Sequence, residues 1–273
     1  MKRTPLLFTS LPAILLVSLA HFMYLDHPDC LVKKRTLKVL TYNIHHAGPP
    51  SRPQAIDLDA IAKVITEHNP DLVALQEVDS HTARSGPFNQ AEELGRRTGM
   101  TAHFFRSIDY DGGEYGIAIL SRLPIVDVNL YPLPRMEGNG GEPRILATAR
   151  IQLSAREQFL FACTHLDAQR DSTNRNLQIK AIAGLLRDVA VPIIIAGDFN
   201  AIPESQEIGT LDNHFTRTCD PCVFTIPADH PSRAIDFIAY TPAKAFKVKM
   251  HSVIPARYAS DHLPVSAVLE VNF

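Results

Sequence analysis

Asp198 and Asn200 close the run Pro192-Ile193-Ile194-Ile195-Ala196-Gly197-Asp198-Phe199-Asn200, in which an apolar stretch stops at Gly, a carboxylate and an amide. In α/β proteins chemistry sits at the carboxyl ends of strands, on loops that a rigid sheet holds still. The same order recurs in Leu72-Val73-Ala74-Leu75-Gln76-Glu77, which predicts a strand ending in a carboxylate. A third acidic position, beside a histidine, follows in Ser260-Asp261-His262. Three acidic strand or loop ends with a histidine suit a hard metal ion and a reaction on phosphate.

The elements that must position these residues follow from periodicity. Leu37–Ile44 reads as a strand. Asp57–Asn69 reads as a helix, with Leu58, Ile61, Val64 and Ile65 on one face, Asp57 as cap and Pro70 as stop. Asp71–Val78 is a buried strand, and Asn89–Thr98 a short helix closed by Gly99. Strand patterns follow at 101–108, 115–121, 125–131, 144–153 and 158–164. Ser172–Val189 is the longest helix, with Leu177, Ala181, Leu185 and Val189 as its apolar stripe. Further strands are expected at 193–196, 235–240, 246–254 and 265–271. Two strand–helix–strand units, ending in Glu77 and Asp198, imply two mixed sheets packed face to face with helices outside, and strand ends meeting on one rim.

The chain has 273 residues and a formal net charge of −2. No composition break divides it after residue 36, so residues 37–273 read as one domain. That charge balance argues against a dedicated duplex-DNA binder. The first 36 residues differ: Met1-Lys2-Arg3 precedes an apolar stretch from Leu6 to Ala20, with Ser18-Leu19-Ala20 placed as a cleavage site. A cleaved signal is favoured over an uncleaved anchor, and both export the domain to the periplasm, the medium or the membrane surface. Of the four cysteines, Cys219 and Cys222 form a C-x-x-C in a loop. A small disulfide or plain thiols suit it better than zinc or thioredoxin-like redox chemistry, because no second ligand pair exists and no helix opens after it.

Seven segments carry a resemblance: Thr41-Tyr42-Asn43-Ile44-His45-His46, Leu75-Gln76-Glu77-Val78-Asp79, Tyr115 to Arg122, Thr164-His165-Leu166-Asp167, Gly197-Asp198-Phe199-Asn200, Ala234-Ile235-Asp236-Phe237-Ile238 and Ser260-Asp261-His262. In this order they resemble the endonuclease/exonuclease/phosphatase superfamily with the DNase I-like fold. The resemblance implies a four-layer α/β sandwich: two packed mixed β-sheets flanked by helices.

It also implies roles. Glu77 holds Mg²⁺ (Mn²⁺ as a substitute), Asn43 orients Glu77 or a metal-bound water, and Asp261 is a second acidic contributor. Asp198 positions or deprotonates the attacking water, and Asn200 holds the phosphate or the nucleophile. His165 and His262 donate to phosphoryl oxygens, with Asp236 fixing the tautomer of His262. Tyr115, Glu114, Arg144 and His45 are further candidates for contact with substrate. Many nuclease members carry an acidic residue two positions after the Asn, where this chain has His45, which counts against the nuclease type of metal site.

The expected activity is Mg²⁺-dependent hydrolysis of a phosphoric ester by a monomer, with membrane association through the N-terminus. The opening motifs look closer to bacterial members related to lipid-remodelling proteins of the GPI-anchor type than to DNA-repair nucleases. A lipid head group or small extracellular phosphodiester is therefore the expected substrate. A secreted nuclease and a non-catalytic phosphate-binding module are the alternatives.

Overall fold

The computed structural model describes Met1 and residues 35–273; the expected signal or anchor and Cys30 lie outside the described residues. Twelve strands form two six-stranded sheets among the described residues. The first sheet holds β1 (Thr36–Asn43), β2 (Leu72–Ser80), β3 (Thr101–Tyr110), β4 (Gly113–Ser121), β11 (Phe246–Val253) and β12 (Val265–Val271). Its order is β11-β12-β1-β2-β4-β3. The second holds β5 (Ile125–Pro132), β6 (Ile145–Gln152), β7 (Gln158–His165), β8 (Ile193–Asp198), β9 (Thr216–Arg217) and β10 (Asp236–Thr241), in the order β5-β6-β7-β8-β10-β9.

The two sheets repeat one plan. A central parallel pair, β1 with β2 and β7 with β8, is flanked on both sides by antiparallel neighbours. A parallel pair needs a crossover, and a helix supplies each one: α1 (Leu58–His68) and α3 (Thr173–Leu186). Leu37, Val39, Ala74, Ile117 and Ile119 of the first sheet pack against Ala147, Phe159, Phe161, Ile194 and Ile238 of the second. The Leu, Val, Ile and Phe side chains among them each contribute about 1.5–3 kcal/mol by leaving water. Outside, α1 and α2 (Gln90–Thr98) cover one sheet, and α3 and α4 (Gln206–Asp212) the other.

The expected caps are present: Asp57 accepts from Ala60 N at 2.9 Å, and Gly99 takes the left-handed conformation after α2. The α3 stripe is corrected. Leu177 and Leu185 are 37% and 42% exposed. The buried face carries Ile179, Ile182, Ala183 and Leu186 with Asn174, Arg175 and Gln178. Those polar residues hold loops: Gln178 Oε1 accepts from Asp167 N at 2.9 Å, and Asn174 Oδ1 from Met136 N at 2.8 Å. An apolarity rule misses a helix face that is buried partly for its hydrogen bonds. The short α4 and β9 also escaped the pattern, being too brief for a period. Cys219 and Cys222 form a disulfide. No helix among the described residues is long and apolar enough to cross a membrane.

Candidate active site

The parallel pairs end together. Asn43 on β1 is in register with Gln76 on β2, and His165 on β7 with Asp198 on β8. Asp236, the first residue of β10, is in register with Asp198 from the other side. Asp198 therefore has a site residue beside it on each neighbouring strand. Close approach here needs Gly197, since a Cβ on it would sit 2.1 Å from the Thr164 carbonyl oxygen.

Glu77 is not at a strand end, as the apolar run had suggested. β2 continues to Ser80, and its register with β4 shifts between Leu75 and Val78. Glu77 has φ +56° in this irregularity. A bulge re-aims a side chain without ending a strand, and Glu77 lines the cleft while its neighbours Gln76 and Val78 stay buried.

Asn43 joins the two sheets. Its Nδ2 donates to Glu77 Oε1 and to Asp198 Oδ2, each at 3.0 Å. Its Oδ1 accepts from His45 N at 3.1 Å. Both protons of the amide are thus spent on orienting two carboxylates, while Oδ1 keeps a second lone pair. Asp198 Oδ1 accepts from Asn200 N at 2.8 Å, and Asn200 Nδ2 donates to Leu166 O at 3.0 Å.

Two imidazoles flank Asp198. Oδ2 lies 3.5 Å from His165 Nε2 and 3.7 Å from His262 Nε2. Behind His262, Nδ1 lies 3.0 Å from Asp236 Oδ2, which also accepts from Thr225 Oγ1 at 2.5 Å. Burial disfavours the charged His262 ring, but Asp236 and then Asp198 outweigh it and push its pKa up to about 10. Burial and then the Asp236 charge push Asp198 upward. His165 goes the opposite way, well below the usual histidine range, through burial, then Arg144, then His262. The two rings are thus pushed in opposite directions.

The cleft holds about 540 Å³ and is lined by Glu77, His165, Asp198, Asn200 and His262 at its base, with Tyr115, Arg144 and His45 on its walls. Tyr115 is buried, and its phenol is pushed up by burial and then by the Glu77 charge. Glu114 instead lies 3.7 Å from Arg106 in a half-exposed ion pair and is not among the lining residues. Asp261 does not line the cleft either; it accepts from Ser260 Oγ at 3.4 Å. His45 Nδ1 lies 2.8 Å from Gly48 O, and a carbonyl only accepts, so that nitrogen carries the proton. His45, His46 and Ala47 are all left-handed, with φ of 45°, 44° and 59°. Such residues cost roughly 1–3 kcal/mol each and cluster at functional sites.

Sequence reasoning missed one wall. Arg84 stacks 4.5 Å from the Tyr110 ring centroid, and both line the cleft. The Arg84 guanidinium is held by Asp79 through Nε at 2.7 Å and Nη2 at 2.9 Å. Asp79 belongs to the Leu-Gln-Glu-Val-Asp segment, and that buried carboxylate was the signal that could have led to Arg84.

A hard cation fits this donor set at Glu77. The carboxylate opens on the cleft and is oriented by Asn43, and Mg²⁺ binds through one or two carboxylates while keeping waters. Asp198, Asp236 and His262 also bring ligand atoms within 4.8 Å of one another. Their carboxylates already accept from Asn43, Asn200, Thr225 and His262, so this trio reads as a hydrogen-bonded relay.

Comparison with known proteins places this arrangement in a family. Protein YbhP of Escherichia coli K12 is 27% identical over 252 residues, covering 86% of this chain and 97% of that one. The crystal structure of an endonuclease/exonuclease/phosphatase from Beutenbergia cavernae superposes with a TM-score of 0.75 at 26% identity, over 88% of this chain and 72% of the other. The mannosyl-6-phosphatase Bt3783 of Bacteroides thetaiotaomicron shares the fold, with a TM-score of 0.68 at 21% identity over 87% of this chain and all of that one. The model of the Endonuclease/Exonuclease/phosphatase family matches residues 40–262, a span that takes in every site residue from Asn43 to His262, and the chain belongs to that family.

Proposed function

We propose that this protein is a metal-dependent phosphoric ester hydrolase acting on a lipid head group or a small extracellular phosphodiester. The observation that carries the reading is the position of Asp198: 3.0 Å from Asn43, 3.5 Å from His165 and 3.7 Å from His262, at the base of the cleft that Glu77 lines. Bound Mg²⁺, or Mn²⁺ in its place, supplies Lewis-acid stabilisation of the phosphoryl and leaving oxygens. Asp198 aligns the attacking water and takes its proton, and a raised carboxyl pKa brings it nearer the value useful for that task. His262, kept cationic by Asp236, donates through Nε2 to a phosphoryl oxygen, and His165 donates from the other side. Asn43 donates to both Glu77 and Asp198 and fixes the two carboxylates relative to each other.

The size of the cleft suits a small substrate. The net charge of −2 argues against a dedicated nucleic-acid binder. The Cys219–Cys222 disulfide is in keeping with an exported domain, which we propose works as a monomer at or outside the membrane.

The test is a panel of sphingomyelin, phosphoinositides, small phosphodiesters, RNA and plasmid DNA, with Mg²⁺ and with chelator. Chelator-sensitive turnover of the lipid or small diesters is expected, abolished in Glu77→Ala and His262→Ala. Turnover of plasmid or RNA alone would move the assignment to a nuclease. Parental rates in the double variant would end it.

A further inference from the structure

His165 and His262 face the same carboxylate oxygen, yet opposite chemistries stand behind them. Asp236, an acceptor, lies behind His262 Nδ1. Arg144, which has donors and no acceptor, lies behind His165, its Nη1 3.3 Å from His165 Nδ1. Because Arg144 can only donate, His165 Nδ1 must accept, and the ring proton sits on Nε2. We infer that Arg144 is the positioning residue that fixes His165 as a neutral imidazole with its Nε2–H aimed into the site. The inference rests on the hydrolase reading for its catalytic meaning, though not for the tautomer itself.

The surroundings are built for this task. Arg144 is 6% exposed, and its Nη2 lies 3.2 Å from Glu142 Oε2, which balances its charge. The polar groups facing His165 are therefore Arg144 on Nδ1, and Asp198 with His262 beyond Nε2. At 3.5 Å, the Nε2 contact with Asp198 is at the long limit of a hydrogen bond, which leaves that donor available to a phosphoryl oxygen. A carboxylate behind Nδ1 would instead hold the proton there, leaving Nε2 bare unless the ring took a second proton and became a cation. Arg144 thus gives the site two Nε2–H donors with one positive charge between them.

The measurement is a two-bond ¹⁵N–¹H correlation spectrum of ¹⁵N-histidine-labelled, metal-free protein at about pH 6 and about pH 8, with the His165 signals assigned from their loss in His165→Gln. The expected result is a bare Nδ1 and a protonated Nε2 at both pH values. A proton on Nδ1 in the parent overturns the inference without any variant. Arg144→Gln is expected to mix the tautomers and lower kcat about 10–100-fold, the usual cost of losing the group behind a functional histidine, with KM within about threefold. Arg144→Lys, which still only donates, is expected to restore both the spectrum and most of kcat. A tautomer unchanged in Arg144→Gln, with the loss confined to KM, would make Arg144 a substrate ligand and overturn the positioning role. If the parent shows the expected tautomer but turns over no phosphoester, the hydrolase reading fails and the tautomer assignment stands.

Discussion

Asn43 and Asp198, 155 positions apart and on different sheets, meet in a 3.0 Å hydrogen bond at the floor of the cleft. The same amide nitrogen reaches Glu77 at 3.0 Å. One side chain thereby ties the cleft-lining carboxylate of Glu77 to the buried carboxylate of Asp198.

Replacing Asn43 tests that tie. Asn43→Asp puts a third carboxylate between two others, and Asn43→Ala leaves both unsupported. We expect each to reduce kcat by about 10²–10³, the loss typical of removing one preorganised donor, with an unchanged circular dichroism spectrum. Activity within threefold of the parent would contradict the bridging role.

Glu77 is expected to control metal affinity. Glu77→Gln keeps the shape and removes the charge. The Mg²⁺ concentration for half-maximal activity should rise by at least about tenfold, and calorimetric Mg²⁺ titration of the protein alone should lose its heat. An unaltered titration would move the cation elsewhere in the cleft.

The ionisation of His262 sets a pH dependence of stability. Its pKa is raised from 6.5 to about 10, so the folded protein holds a proton that the unfolded chain releases earlier. That contribution is fully present below about pH 6.5 and is lost as pH rises toward about 10. Asp198, raised to about 7, acts in the same direction over a lower range that ends near pH 7, so the fall above pH 7 belongs to His262. In chelator, the urea midpoint should therefore fall between about pH 7 and about pH 9.5, and His262→Gln should flatten that fall. A midpoint constant over the range would refute the cationic His262.

The inner face of α3 makes a separate prediction. Leu177→Gln, on the exposed side, should change stability by no more than about 0.5 kcal/mol. Ile182→Ala, fully buried, should cost about 2–5 kcal/mol. Gln178→Leu strips the Asp167 amide of its acceptor and should cost about 1–3 kcal/mol while loosening a cleft loop. Chemical denaturation of the three variants checks the order.

Gly197→Ala should fail outright. Its new methyl would meet the Thr164 carbonyl at 2.1 Å, between two central strands that cannot part without losing their register. Expression as insoluble protein, or a loss of more than about 3 kcal/mol, is expected.

Much of this was legible in the linear chain. Local periodicity set α1, α2 and nearly every strand, because burial on one face leaves its mark every two or 3.6 residues. Runs such as Ile193-Ile194-Ile195 followed by Gly197-Asp198 announced both a buried strand and the chemistry at its end. The families of residues in the site were likewise visible as motifs. The bulge at Glu77 was not, because a shift of register belongs to a pair of strands and one strand alone does not encode it. Nor was the polar inner face of α3, whose partners are loops distant in sequence. Arg84 lay hidden because its role comes from Asp79 behind it and Tyr110 beneath it. Residue types and spacing determined which groups were available for chemistry. Only packing of the two sheets decided which atom faced which, since a hydrogen bond over 155 positions depends on distances that no local pattern carries.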